Sequence, residues 1–285
     1  MSMKITFLGL GVMGYPMAGH MQAKGFDLTV YNRTTAKAEA WAKQHGGAFN
    51  ATVAGAVAGA DLVMMCVGND RDLLDVGKQA LVAMRAGTIL VDHTTGSADA
   101  ARALYADAKA KGIGFIDAPV SGGQAGAEKG QLTVMCGADA DVFAKAKPVM
   151  DSYAKATTLM GAAGAGQLTK MVNQICIAGV VQGLSEGLAF AEKAGLDGNL
   201  VLEVISKGAA QSWQMENRGQ TMLKREFNFG FAVDWMRKDL GICLDEARRN
   251  GAKLPLTAAV DQFYAEVQQA GGARFDTSSL ITRLK

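Results

Sequence analysis

The stretch Lys4 to Gly14, KITFLGLGVMG, constrains this chain more than any other. Ile5, Phe7 and Leu8 form a short apolar run with the character of a buried strand. It leads straight into Gly9-Leu10-Gly11-Val12-Met13-Gly14, a G-x-G-x-x-G. Between a strand and a helix, the first glycine turns the chain tightly. The second lets a pyrophosphate reach the backbone, and the third lets the helix pack close on the strand. The helix N-terminus then offers free N–H groups and a positive dipole end to phosphates. In a chain with 35 glycines the motif alone says little, and its context decides. Ala18, Met21 and Gln22 continue a helix, Gly25 ends it, and Leu28-Thr29-Val30-Tyr31 reads as a second strand. That is the opening of a βαβ unit.

The same alternation continues. Thr35 to His45 reads as a helix broken by Gly46-Gly47. Leu62 to Val67 is continuously apolar, as a parallel strand buried on both faces should be. Leu73 to Met84 reads as a helix, Thr88 to Asp92 as a strand, Ala98 to Lys111 as an Ala-rich helix, and Phe115 to Ala118 as a strand ending at Pro119. Leu132 to Cys136 and Thr158 to Met160 add strands. Alternation of this kind predicts a doubly wound, mostly parallel α/β sheet, with the direction of the later strands left open. At Gly161 the character changes, and no convincing strand follows the glycine-rich stretch Gly161 to Gly166. Gln167 to Ala194 reads as one long helix stopped by Gly195. After it come a helix from Asn199 to Lys207, a Gly/Ala/Ser loop around Ser212 and Trp213, and helices from Phe231 to Asn250 and Leu256 to Ala270. The expected organisation is an α/β domain over residues 1–162 and an all-α domain over residues 163–285.

A length of 285 residues suits two such domains. A net charge of +2, with no Lys/Arg cluster, argues against nucleic acid as a partner. The chain enters a strand at once, without the basic and apolar regions of a signal peptide. Its most apolar later stretch, Ile175 to Leu188, carries Gln182, glycines and Glu186 and reads as a buried helix, so no membrane partner is expected. Cys66, Cys136, Cys176 and Cys243 are far apart in apolar runs, which reads as four reduced, buried thiols of a cytoplasmic protein. His20, His45 and His93 are isolated and lack metal-ligand spacing, so no metal is expected.

Four groups of residues could carry chemistry. Asn32-Arg33-Thr34 follows the second strand, where an NAD-binding fold places an acid that bonds the ribose hydroxyls and repels a 2′-phosphate. A neutral Asn, a guanidinium and a hydroxyl suit a 2′-phosphate better, which points to NADP with NAD possible; the competing reading is a solvated turn. Pro119-Val120-Ser121-Gly122-Gly123 follows a strand end and reads either as a plain turn or as a loop whose N–H groups and hydroxyl hold a carboxylate. Lys170, Asn173 and Gln174 share one helix face. Lys170 is the only basic residue between Gly161 and Lys193, and on so apolar a helix it either reaches to water or has a task. Lys238-Asp239 lies early in a later helix and reads as a surface charge pair or as part of a site. Trp213 and Phe231 are core residues or walls that limit substrate size.

Together these residues resemble the β-hydroxyacid dehydrogenases, the group of 3-hydroxyisobutyrate dehydrogenase, tartronate semialdehyde reductase and glyoxylate/succinic semialdehyde reductase. The resemblance runs from about Lys4 to Leu280. It rests on four ordered motifs: Phe7 to Gly14, Asp117-Ala118-Pro119-Val120-Ser121-Gly122-Gly123, Gly164-Ala165-Gly166-Gln167 through Lys170 to Asn173, and Lys238-Asp239-Leu240. It implies a Rossmann domain and a helical domain joined by a long interdomain helix. It also implies hydride transfer between a nicotinamide and a short 3-hydroxy acid or semialdehyde. Lys170 would be the general acid/base and Asn173 would orient the substrate. Ser121, Gly122 and Gly123 would bind the carboxylate of a small carboxylate substrate, Lys238 would close over cofactor and substrate, and Thr95 would lie near the nicotinamide ribose. The chain departs from the family pattern at Cys66-Val67-Gly68, where a looser loop near the adenosine is expected, at Asn173-Gln174, and at Asp92-His93-Thr94-Thr95. An imine reductase on the same scaffold, or a non-catalytic NADPH-binding module, is the alternative; the retained Lys170 argues against both. The strongly apolar helix from Ile175 to Ala191, together with the resemblance, implies a homodimer or homotetramer through the helical domain.

Overall fold

The computed structural model describes residues 3–284. It contains two compact units, Met1–Lys170 and Met171–Lys285, which part inside a long helix. In the first unit the order is β1 (Lys4–Leu8), α1 (Gly14–Ala23), β2 (Asp27–Tyr31), α2 (Thr35–His45), β3 (Ala48–Phe49), α3 (Val53–Val57), β4 (Leu62–Met65) and α4 (Asp70–Ala83). There follow β5 (Ile89–Asp92), α5 (Ala98–Lys109), β6 (Gly114–Asp117), β7 (Val120–Ser121), α6 (Gly123–Glu128), β8 (Leu132–Ala138), α7 (Ala140–Met150) and β9 (Ala154–Gly161). They build a nine-stranded sheet in the order β3-β2-β1-β4-β5-β6-β8-β7, with β9 also paired to β8. The strands from β3 to β6 are parallel. β8 runs antiparallel to β6 and β7 and parallel to β9.

The apolar runs are continuous because both sheet faces are covered. On β1 and β4, Phe7 and Met64 join Met17, Trp41, Ile116 and Tyr153 on one side. Leu8, Val63 and Met65 join Leu90, Leu104 and Phe115 on the other. The predicted α/β architecture is therefore the observed one. Missing from the sequence reading were β3, α3 and α6, each too short to show a period, and the 11-residue α7, which carries Pro148 inside it. Val120–Ser121 is not a plain loop but a strand, β7, paired with Val134 and Thr133.

The second unit is helical: the long α8 (Ala165–Lys193, whose first residues pack with the first unit), α9 (Gly198–Ile205), α10 (Trp213–Leu223), α11 (Val233–Asn250) and α12 (Pro255–Val267), then short helical turns over Gln268–Gly272 and Thr277–Arg283. Ala178, Val181, Val233, Met236, Leu240, Val260 and Tyr264 form one core, and Leu184, Leu188, Leu202, Met215, Met222 and Phe227 another. α8 is long and apolar enough to cross a membrane, with a mean hydropathy of 1.3, but half of that window is buried within the fold. The expected loop around Ser212 and Trp213 is instead a helix start. Ser212 accepts the Met215 N–H at 3.1 Å and Trp213 opens α10. The serine there is an N-cap.

Candidate active site

The sheet order changes hand between β1 and β4, and in open α/β sheets the crevice at those strand ends takes ligands. Gly9 follows β1 with φ of +99°, and a Cβ there would lie 2.2 Å from the Cys66 carbonyl oxygen at the end of β4. A Cβ on Gly14 would lie 2.0 Å from the Gly9 carbonyl oxygen and 2.8 Å from the Phe7 ring. A Cβ on Gly11 would meet nothing within 4 Å. The first and third glycines are thus required by packing, and the second faces open space where a pyrophosphate needs backbone access. No side chain caps α1 at Met13 and no acid stands in its first turn, so an anion there meets no competing carboxylate. Gly9 to Gly14 fit a dinucleotide.

Around the adenosine end the three candidates divide. Asn32 Oδ1 accepts the Leu10 N–H at 3.0 Å, and its Nδ2 donates to the Thr34 carbonyl at 3.1 Å. Asn32 therefore staples the glycine turn to the next loop. Arg33 is 88% exposed, 3.7 Å from Asp72 at the start of α4. Thr34 is exposed at the N-cap of α2 without a side-chain cap bond. The Cys66-Val67-Gly68 loop is held at Val67 and followed by a capped helix start. The Val67 N–H donates to Thr94 Oγ1 at 3.0 Å, and Asn69 Oδ1 takes the Asp72 N–H at 3.0 Å. The first of these bonds brings the end of β4 beside the segment that carries Thr95.

Ser121, Gly122 and Gly123 form the junction from β7 to α6. Gly122 and Gly123 have φ of +126° and +60°, a backbone that side-chain-bearing residues rarely adopt. Behind this loop lie buried polar groups. Asp92 and Asp117 end β5 and β6 and are fully buried. Burial pushes the Asp92 carboxyl up to about 7, against the pull of the Thr94 side chain and N–H, and Asp117 to about 6, against backbone N–H donors. His93 Nδ1 contacts the Ala118 carbonyl at 2.7 Å, which can only accept, so Nε2 is left to accept from the Tyr153 hydroxyl at 2.8 Å. Burial lowers the imidazole to about 4, so this histidine is a neutral brace.

Lys170 is only 8% exposed, on a helix where Val172 is 60% exposed. The ordinary inside–outside preference is reversed, since lysines are rarely buried without a partner. Asn173 follows one turn along the same helix.

Within the second unit a polar chain joins two of the motifs. Asn173 Nδ2 donates to Gln174 Oε1 at 2.8 Å, and Gln174 Nε2 donates to Asp239 Oδ2 at 2.7 Å. Asp239 Oδ1 lies 3.1 Å from Lys238 Nζ. Asp239 is buried, so Lys238-Asp239 is not a surface charge pair. Phe231 is half-buried against the core that holds Val233 and Tyr264, and its N–H donates to Asp276 Oδ2 at 3.0 Å. Trp213 is half exposed, with the Arg218 guanidinium 4.9 Å from its ring centre.

The sequence reading missed the roles of Asp117, Gln167 and Asp239; each stood in or beside a quoted motif, but its partner lies far away in the chain. The four thiols are not all buried. Cys136 and Cys243 are, Cys66 is half-buried, and Cys176 is exposed on α8. Among the described residues no cluster of His, Cys, Asp or Glu is arranged to hold a metal.

Comparison with known proteins identifies the two halves of the chain. Residues 4–161 match the NAD-binding domain of 6-phosphogluconate dehydrogenase, and residues 164–284 match the NAD-binding domain of NADP-dependent 3-hydroxyisobutyrate dehydrogenase. An uncharacterised oxidoreductase of Shewanella frigidimarina is 62% identical over 99% of this chain and 98% of its own. The 2-hydroxy-3-oxopropionate reductase of Escherichia coli is 34% identical over 99% of this chain and 97% of its own. The solved 3-hydroxyisobutyrate dehydrogenase of Mycobacterium tuberculosis, with L-serine, superposes with a TM-score of 0.91 at 32% identity over the whole of both chains. With both halves matched and relatives of this kind aligned along the whole chain, the chain belongs to the 3-hydroxyisobutyrate dehydrogenase-like family of NAD(P)-binding oxidoreductases.

Proposed function

We propose that this protein is an NADP(H)-preferring dehydrogenase that interconverts a short 3-hydroxy acid and its semialdehyde. The observation that carries the reading is the burial of Lys170, the lone basic residue of its helix stretch, one turn before Asn173. In reduction the Lys170 ammonium delivers a proton to the substrate's carbonyl oxygen. In oxidation the neutral amine takes that proton from the hydroxyl. The nicotinamide, when bound, supplies or accepts the hydride at C4. Asn173 bonds the substrate oxygen without competing for the proton. Ser121 and the N–H groups of Gly122 and Gly123 hold the carboxylate, Trp213 and Phe231 limit substrate size, and Lys238 closes the site. The activities named for the Escherichia coli and Mycobacterium tuberculosis relatives support a substrate of this size and charge. A panel of short hydroxy acids and semialdehydes, assayed with both cofactors, tests the reading. Activity confined to substrates without a carboxylate overturns the role of Ser121.

The NADP preference rests on Arg33 and Thr34, exposed where a 2′-phosphate would lie. Arg33→Ala is expected to weaken NADP(H) binding by ~1–3 kcal/mol, the scale of a lost charge-assisted contact, and to leave NAD(H) nearly unchanged. Titration of both cofactors against both proteins checks it; equal kcat/KM for the two cofactors in the parent sinks it. The proposed assembly is a homodimer or homotetramer through the second unit, where Phe190, Leu196, Leu200 and Val204 are exposed apolar side chains at the end of α8, in the turn after it and on α9. Light scattering at micromolar concentration should show at least a dimer; a monomer overturns the assignment.

A further inference from the structure

We propose that Asp117 and Gln167 are positioning residues: together they clamp the first turn of α8 and so set where the Lys170 amine stands. The proposal rests on the catalytic reading of Lys170 given above. Asp117, the last residue of β6, spans the start of α8 with both carboxylate oxygens. Oδ1 accepts the Gly164 N–H at 2.7 Å and Oδ2 the Gln167 N–H at 2.9 Å. The fully buried Gln167 side chain then uses both of its ends on another segment. Its Oε1 accepts the Gly96 N–H at 3.0 Å, and its Nε2 donates to the Thr94 carbonyl at 2.7 Å. One residue thus has its backbone fixed to β6 and its side chain fixed on either side of Thr95.

The clamp has no slack. A Cβ on Gly137 would lie 2.4 Å from Asp117 Oδ1, and one on Gly166 2.5 Å from the Asp117 carbonyl oxygen. A Ser or Asp just before the helix would satisfy the same N–H groups, but it would not tie the helix to two strand ends. Lys170 follows Gln167 at i+3 on one helix face, so any shift or rotation of this turn carries the amine with it. Reaction geometry is steep in distance: a misplacement of about 1 Å can cost ~10²-fold.

The test uses Gln167→Met and Asp117→Asn in the full-length protein. Gln167→Met keeps the length of the side chain and removes both of its hydrogen bonds. Asp117→Asn turns one acceptor into a donor facing an N–H. Each variant should lower kcat by ~10- to 10²-fold and speed amide exchange over residues 164–170. In a Lys170→Ala background, Gln167→Met should cost no further loss of kcat, because its effect passes through the amine. An equal loss in both backgrounds means a general structural role and overturns the proposal, as does an unchanged kcat in Gln167→Met. If both variants fail to fold, the parent decides: rapid exchange of the Gly164 and Gln167 amides means there is no clamp, and slow exchange supports it. Should Lys170→Ala itself turn over at the parent rate, it is the catalytic reading that fails. Loss of activity in Lys170→Ala with full activity in Gln167→Met defeats the positioning claim alone.

Discussion

Lys170→Ala is expected to lose at least ~10²-fold in kcat, the lower end for general acid–base groups, while NADPH still binds. Carbonyl reduction needs a proton at oxygen as hydride reaches carbon, and alcohol oxidation needs that proton removed. Lys170 is buried on α8 with Asn173 one turn on, and no other lysine or arginine stands between Gly161 and Lys193 to take its place. Lys170→Arg should be nearly as poor, because a guanidinium keeps charge and reach but cannot give up a proton near neutrality. Lys238→Ala should instead raise the KM for cofactor or substrate more than it lowers kcat, because its proposed task is closure. Steady-state kinetics with separate NADPH titrations distinguish these outcomes. An alanine variant with parent-like kcat contradicts the mechanism.

Gly14→Ala is expected to have the largest effect on the first unit. The added methyl would sit 2.0 Å from the Gly9 carbonyl oxygen, a backbone atom that cannot rotate away. Overpacking of a tight site costs ~1–3 kcal/mol, and the rigid neighbour puts this case at the upper end. The turn must open to relieve the clash, which also spoils the pyrophosphate cradle, so the Kd for NADPH should rise by tenfold or more, equivalent to about 1.4 kcal/mol. Gly11→Ala is the control. Its methyl meets nothing within 4 Å in the protein, so Tm should stay put while NADPH affinity falls. Thermal unfolding and cofactor titration on the two variants check the contrast. Equal Tm losses in both contradict the assignment of separate tasks to the glycines.

The strand–turn–helix opening was legible because its signals are local: an apolar run, three spaced glycines and a helix that Gly25 ends. The doubly wound class followed from alternation alone, and α2 spans the residues its pattern marked, Thr35 to His45. The clamp on α8 was not legible, because Asp117 and Gln167 bond to groups 47 to 73 residues away. Local patterning carries no trace of such pairings. The burial of single α8 residues was equally hidden. A helix apolar on every side has no face to read, so the sequence could not show that Cys176 and Val172 point outward while Lys170 points inward. The bonds of Asn32 to the Leu10 N–H and the Thr34 carbonyl are likewise invisible in local patterning.

The role proposed for Lys170 is proton transfer during hydride exchange between NADP(H) and a short hydroxy acid or semialdehyde. Its most direct test is a single turnover. Protein loaded with NADPH and held in excess over a short carboxylate-bearing semialdehyde is followed by nicotinamide absorbance, for the parent and for Lys170→Ala at matched cofactor occupancy. The parent should yield a hydroxy acid, and the chemical step should be at least ~10²-fold slower in the variant. NADPH oxidation at equal rates in both proteins contradicts that role.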